Sequence, residues 1–363
     1  MSGALSDLEL RVFSKICPGV HLQLPDDFRP DGKQIHSEWG PVHFVRTGWA
    51  TDTEIRFRGS SGGGISALLV FLVESGRADF VAHVAVSPND PLLNVRRISR
   101  TRAEILTGAG SRYAPAAPLE DIESLFASGE RFAFVGKPCD VAALRAFIHV
   151  QPERASQVVA MVSFMCAGVP SLVGTHEVLA ALGTEAKELV RFNYRGNGWP
   201  GFATAVTRDG LELTMDYNSS WGKILGKHLQ LRCKLCPDGT GEFADVVCAD
   251  AWYGASGYPD FTEREGRSLI LSRTTLGEEI VSAAILAGAL YVEESSVAEV
   301  ALMQPYQLTR KRVVLGRLFA LFLRRGVWPR FKGLRLLKCA TRGGWLPVLR
   351  NMWGTYRRLG RGV

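Results

Sequence analysis

The hydrophobic positions fall into short dense runs punctuated by glycine and proline. Ile65–Glu74 is rich in apolar residues, opens on Gly59-Ser60-Ser61-Gly62-Gly63-Gly64 and stops at Gly76. This pattern predicts a buried helix entered through a glycine loop, and Phe80–Val86 after it predicts a strand. Arg131–Gly136 reads as a buried strand, from which Pro138-Cys139-Asp140 turns into a helix over Val141–Ile148. Val158–Phe164 is another β-rich run, ending at Met165-Cys166-Ala167-Gly168. Strand, loop and helix in that order imply an α/β fold with sites at the carboxyl ends of strands. Farther on, Gly210–Met215 and its neighbours read as antiparallel strands, and Ser268–Thr274 and Glu278–Leu286 as strand then helix. Residues 1–40 read as irregular. No repeat stands at a solenoid period.

At 363 residues with 46% hydrophobic and 22% charged content, the chain can form two packed domains or one large α/β domain. Wholesale disorder is excluded by the same figures. The start of the chain lacks the basic flank and apolar core of a secretory signal. The longest apolar runs, Ile65–Val73 and Val313–Leu323, are too short to span a bilayer. The expected location is cytoplasmic.

Charge divides the chain sharply. From Leu302 to Val363 there are 15 Lys or Arg and no Asp or Glu, whereas the rest holds 28 basic and 36 acidic residues. An acidic body therefore carries a cationic end, which suggests an enzyme with an attachment segment. In Arg310–Gly362 the basic residues alternate with Leu, Phe, Val and Trp, as helices lying in a membrane interface do. An anionic membrane surface is the favoured partner of this segment, ahead of an acidic protein. Nucleic acid comes last, because no motif supports it.

Seven cysteines in a long chain with no signal argue against a disulfide framework. Cys233-Lys234-Leu235-Cys236-Pro237-Asp238 spaces two thiolates for adjacent positions on one metal or cluster. By itself it also fits half a zinc site, a redox pair or coincidence. Cys139 and Cys166 each follow a β-rich run at a proline- or glycine-marked exit. Adjacent parallel strands lie about 4.8 Å apart, so two such ends could present thiols to one centre. Four thiolates suit a [4Fe–4S] cluster, and zinc would accept them too. Cys248 reads as core, and Cys339 as incidental.

These segments, taken in order, resemble the coenzyme F-420 hydrogenase/dehydrogenase beta-subunit family. The resemblance runs from about Glu38 to Tyr306. It is carried by Gly59–Leu69, Ala109–Pro115, Val135–Leu144, Cys166–Ser171, Tyr194–Gly201, Cys233–Asp238 and Ala244–Trp252. The family includes beta subunits of hydrogenases and formate dehydrogenases, and chlorophyll-pigment reductases of the 7-hydroxymethyl type. The resemblance implies a mixed-sheet α/β core of the hydrogenase beta-subunit type, here with a basic amphipathic helical C-terminal tail. It divides the chain into a segment 1–37, left over from a ferredoxin-like region, an oxidoreductase domain 38–306 with halves 38–125 and 126–306, and a tail 307–363. It also implies FAD beside one [4Fe–4S] cluster held by Cys139, Cys166, Cys233 and Cys236. Only Cys17-Pro18 remains of the N-terminal cysteine run that many relatives carry.

A glycine loop at a helix start suits a pyrophosphate, since backbone N–H groups are accessible there. A tight turn packed against its helix is the plainer explanation of the same residues, and the GxGxxG spacing of a Rossmann fingerprint is missing. The expected flavin contacts are Ser60, Ser61, Gly62, Gly63, Gly64, Ser111, Tyr113, Asn193, Arg195, Gly196, Asn197 and Gly198. Lys137, Asp140 and Asp250 are the candidate acid–base groups by position, although charged residues at loop ends are often simply solvated or capping. The expected activity is electron transfer between a donor or acceptor protein such as a ferredoxin and a small-molecule substrate. The competing reading is a non-catalytic binding module, with or without a cluster. Nothing in the sequence indicates use of the deazaflavin coenzyme.

Overall fold

The computed structural model describes residues 7–24, 35–255 and 258–361. Its centre is an eight-stranded sheet of β1 (Phe44–Ala50), β2 (Phe80–Val86), β3 (Asn94–Ser99), β4 (Phe132–Gly136), β5 (Val158–Phe164), β6 (Val246–Asp250), β7 (Ser268–Ser272) and β8 (Leu290–Glu294). The spatial order is β8-β1-β7-β6-β5-β4-β2-β3. The middle four strands, β6, β5, β4 and β2, run parallel. β3 flanks them antiparallel on one side, and on the other β7, β1 and β8 follow, each antiparallel to its neighbour. The mixed α/β core expected from the sequence is present. Its sheet takes strands from both sides of residue 125, so the two expected halves share one core.

Alternation along the central strands builds a layer on each face. In β4, Phe132 and Phe134 point into one cluster with helix α2 (Pro138–Val150), through Val141, Leu144 and Phe147. Ala133 and Val135 point the other way, against α1 (Gly64–Glu74) and α3 (Thr275–Leu286). With a sheet below it and helix α3 beside it, α1 buries Ala67, Leu68, Leu69, Val70 and Leu72, which explains its apolar density. The strand at 80–86 and the helix opened by the glycine loop lie where the sequence placed them. A smaller three-stranded antiparallel sheet, at 189–193, 203–207 and 212–215, packs with the helix Leu172–Leu182 around Phe192 and Tyr194.

Two expectations are corrected here. The first forty residues are not wholly irregular: Asp7–Ile16 is a helix, and His21–Gln23 pairs in parallel with Arg330–Lys332 near the other end of the chain. Residues 1–6 and 25–34 lie outside the described residues. The basic end is helical, as expected, in α4 (Pro305–Arg325), α5 (Leu336–Gly343) and α6 (Trp345–Gly360). It packs against the body, where the sequence suggested a separate attachment segment.

The reason is buried charge. Glu242, fully buried, accepts from Lys311 and Arg335, and Glu38, 1% exposed, accepts from Arg312 and Arg342. Carboxylates of the acidic body thus draw the basic helices inward, because an unpaired buried charge is costly. Cys339 is buried with them, its Sγ donating to the Ser37 carbonyl at 3.1 Å.

Candidate functional site

The carboxyl ends of the four parallel strands open into a cavity of about 470 Å³. Val84 of β2, Gly136 of β4, Phe164 of β5 and Cys248, Ala249 and Asp250 of β6 reach its wall. This is the crevice where open α/β sheets bind ligands. Ser60, Ser61, Gly63, Gly64, Ser111, Tyr113 and Arg195 line it, as do Lys137, Asp140, Asp250 and Cys166. Gly62, Asn193, Gly196, Asn197 and Gly198 do not.

At the glycine loop, packing accounts for much of the composition. A Cβ on Gly63 would meet the Ile55 carbonyl at 2.6 Å, and one on Gly62 would meet the Gly48 carbonyl and the Ser268 nitrogen, both at 2.7 Å. Gly63 also stands at φ +71°, where side chains are strained. The N–H groups of Gly62 and Gly64 already donate to Ser268 Oγ, at 3.0 and 3.3 Å. Two donors remain. The N–H groups of Ile65 and Ser66, in the uncapped first turn of α1, have no partner among the described residues, and both residues line the cavity. An uncapped helix start facing a cavity suits an anionic group. The donors thus begin one residue past the glycines.

Arg195 is the one residue of its loop that reaches the cavity. Its guanidinium donates to both Asp250 oxygens, at 2.9 and 2.6 Å, and to the Pro200 carbonyl at 2.6 Å. The rings of Tyr217 and Trp252 lie 4.7 and 5.1 Å from it. Burial works against its charge, but the charge and hydrogen bonds of Asp250 together with Tyr113 and Tyr217 outweigh it, so its pKa is raised. Asp250 also accepts from Trp199 Nε1 at 2.8 Å. A carboxylate so occupied is an anchor for Arg195 and is poorly suited to proton transfer. Gly196, Asn197 and Gly198 turn the chain with positive φ, and Asn193 ends the first strand of the small sheet.

Next to the cavity the cysteines converge. β4 and β5 are adjacent and parallel, and Cys139 and Cys166 follow them directly. Gly168, at φ +125°, lets the Cys166 loop approach the CxxC segment: a Cβ there would stand 3.2 Å from that of Cys233. Val169 N–H donates to Cys233 Sγ at 3.3 Å, and Cys236 Sγ donates to the Asp238 carbonyl at 3.3 Å. Cys139 feels the charge of Cys166 and Cys236, and Cys166 that of Cys233 and Cys236, which puts all four thiols in one electrostatic neighbourhood. Burial pushes Cys166 up to about 12, Cys139 well up and Cys236 up. Arg310 opposes burial at Cys166 and Cys236, and Lys137 does so at Cys139. Among the described residues no three Cys, His, Asp or Glu are grouped to hold a single metal ion. Zinc bonds of about 2.3 Å require sulfurs closer together than a cluster does.

The acid–base candidates Lys137 and Asp140 form one ion pair at 2.6 Å on the cavity wall. Several other contributors were not legible beforehand. From the basic end, Arg310 donates to the Cys166 carbonyl at 2.8 Å and to that of Cys233, Lys311 to that of Pro237 at 2.9 Å, and Arg317 to that of Lys234 at 2.9 Å. One helix therefore holds the CxxC loop from Cys233 to Pro237. Gln307 of the same helix lines the cavity, and its buried Oε1 has no hydrogen-bond partner. Tyr217, Trp221 and Trp252 add an aromatic wall. No periodicity marks any of these for the site.

A crevice at the carboxyl ends of parallel strands, an uncapped helix start on its wall and four cysteines beside it are the features of this site. Residues 45–122 match the family model for the N-terminal part of the coenzyme F420 hydrogenase/dehydrogenase beta subunit, and residues 129–297 match the model for its C-terminal part. The chain belongs to this family. Among curated proteins it is 27% identical over 252 residues to the coenzyme F420 hydrogenase subunit beta of Methanococcus voltae, covering 66% of this chain and 80% of that protein. It is 24% identical over 256 residues to the coenzyme F420-dependent sulfite reductase of Methanocaldococcus jannaschii, covering 65% of this chain but only 36% of that protein. A chain in the structure of the F420-reducing [NiFe] hydrogenase complex from Methanosarcina barkeri shares the fold, with TM-score 0.59 at 20% identity over 78% of this chain and 96% of that chain. These relatives are oxidoreductases or their subunits, which supports an oxidoreductase role in electron transfer. No described helix is long and apolar enough to cross a membrane.

Proposed function

We propose that the protein is a flavin- and iron–sulfur-dependent oxidoreductase that passes electrons between a partner protein and a small organic substrate. The observation that carries this reading is the shared wall of the two sites: Cys166 lines the cavity and stands among the other three cysteines. A flavin in the cavity and a [4Fe–4S] cluster on Cys139, Cys166, Cys233 and Cys236 would together exchange electron pairs for single electrons.

The residues present fit both groups. Ile65 and Ser66 offer unpartnered N–H donors for an anionic pyrophosphate. Tyr113, Tyr217 and Trp252 give an apolar, aromatic wall that excludes water. The Arg195–Asp250 pair fixes the side of the cavity on which those rings stand. Lys137 and Arg310 supply two cations facing buried thiols, which favours thiolates as ligands. Asp140 neutralises Lys137 when the thiols are protonated. The expected division into the segment 1–37, a core 38–306 and a basic end is kept with one change: the basic end is structural. FAD is the proposed flavin; the deazaflavin coenzyme and ferredoxin are the candidate two-electron and one-electron partners.

Anaerobic reconstitution with iron, sulfide and FAD tests this. We expect a bound flavin spectrum over a broad charge-transfer absorption, both retained on gel filtration. A protein that stays colourless after reconstitution would favour the non-catalytic binding module instead.

A further inference from the structure

We infer that the outer face of the C-terminal helix α6 is a docking surface for an anionic lipid bilayer. The helix has two apolar sides. Its inner side packs on α4 through Val348, Thr355 and Leu359, and Asn351 accepts from Arg317 at 3.0 and 2.9 Å. Gly316 of α4 is needed for this approach, since a Cβ there would lie 2.3 Å from the Val348 carbonyl. The inner side is therefore already covered by the protein.

The outer side is not covered. Trp345, Leu346, Leu349 and Trp353 are each more than half exposed. At 3.6 residues per turn they fall within about 100° of arc, away from the packed residues. Exposed Arg350 and Arg357 border that arc. Two tryptophans and two leucines in one exposed stripe exceed the scattered apolar residues expected of an ordinary surface. A second aromatic group stands at the end of α4, where exposed Phe319 and Phe322 pack their rings against Trp328 at 5.0 and 6.1 Å.

Charge selects the occupant. Of the 15 basic residues from position 302 onward, Arg310, Lys311, Arg312, Arg317, Arg335 and Arg342 are spent on the body of the protein. The nine others, Arg350 and Arg357 among them, have no acidic partner among the described residues. Large apolar side chains flanked by unpaired arginines, with no carboxylate on the same elements, match shallow burial at an acyl boundary beneath anionic headgroups. Nucleic acid would call for the basic groups at the centre of the face, where here there are tryptophan and leucine. Because α6 is already folded on α4, docking needs no coil-to-helix transition. This reading is independent of the cofactor assignment.

The test is co-sedimentation of the full chain with vesicles of phosphatidylcholine alone and of phosphatidylcholine mixed with phosphatidylglycerol. Wild-type protein should bind the anionic vesicles at least about tenfold more strongly, with reversal by salt and no gain in helical circular dichroism. The variant carrying Trp345→Ser, Leu349→Ser and Trp353→Ser should lose binding while keeping its melting temperature and oligomeric state. Arg350→Gln with Arg357→Gln should weaken only the anionic preference. Equal binding to both vesicles, full binding by the serine variant, or no binding by the wild type would overturn the inference. So would pelleting without vesicles, which would make the stripe a contact between copies of this chain. Saturable binding to an acidic protein or to nucleic acid, with none to vesicles, would overturn it as well.

Discussion

Arg310 donates to the carbonyl oxygen of Cys166 at 2.8 Å while a second nitrogen of the same guanidinium reaches that of Cys233. One side chain from the basic end thus ties together two loops that carry candidate cluster ligands. Arg310→Gln keeps one donor but loses the fork and the charge. Iron content after anaerobic reconstitution should fall at least severalfold, and Arg310→Lys should restore it only partly. Full iron retention by the glutamine variant would show that the loops hold their places without Arg310.

The buried pair of Lys311 and Glu242 makes the basic end essential to the fold. Lys311→Met should destabilise the protein by about 3–5 kcal/mol, because it takes one cation from a fully buried carboxylate. Exposed Arg324→Gln should change stability by no more than about 0.5 kcal/mol. Urea unfolding of the two variants measures the contrast. Truncation before Leu308 should strip Glu38 and Glu242 of their Lys and Arg partners and yield insoluble protein.

The first turn of α1 separates ligand binding from folding. Ser66→Asp puts a carboxylate at a helix start, where it favours the helix, but also beside the cavity, where it repels a pyrophosphate. Flavin content should drop about tenfold with the melting temperature of the flavin-free protein unchanged or raised. Gly63→Val should instead lower stability directly, since its side chain would meet the Ile55 carbonyl and not the cavity. Flavin release on denaturation, set beside thermal melts, distinguishes the two.

His83 gives the fold a dependence on acid. It is 5% exposed, its Nε2 lies 2.8 Å from Ser99 Oγ, and burial lowers its pKa from 6.5 to about 4. Between these values the unfolded chain binds the proton and the folded chain does not. The neutral imidazole's contribution is therefore complete above about pH 6.5 and is lost as pH falls toward 4, to a maximum of roughly 3 kcal/mol. The stability difference between wild type and His83→Gln should shrink over that window. A constant difference would mean that His83 is protonated in the fold.

The elements that position the site were readable because their causes are local. A glycine loop before a dense apolar helix, and short, mainly apolar runs bounded by Gly, Pro or polar residues, mark α1, β2, β4 and β5 with little outside help. The cysteines were readable because strand exits and the CxxC spacing are local too. Arg310 and Lys311 were not: in a run of like charges every residue looks solvent-facing. What buries Lys311 is a carboxylate 69 residues away, and what draws in Arg312 is one 274 residues away. The loop from Asn193 to Gly198 shows the converse. Its glycines and asparagines suit a ligand clamp and a turn equally, and only Asp250, 55 residues on, shows that Arg195 alone faces the cavity.

Whether the four converging thiols hold a cluster decides the proposed chemistry. Iron, acid-labile sulfide and zinc should be measured on anaerobically reconstituted wild type and on Cys139→Ser, Cys166→Ser, Cys233→Ser and Cys236→Ser, with Cys248→Ser as the core control. The wild type and the control should carry about four iron and four sulfide per chain, and each of the other four variants far less. One zinc per chain without sulfide, or full iron in any of those four variants, would contradict it.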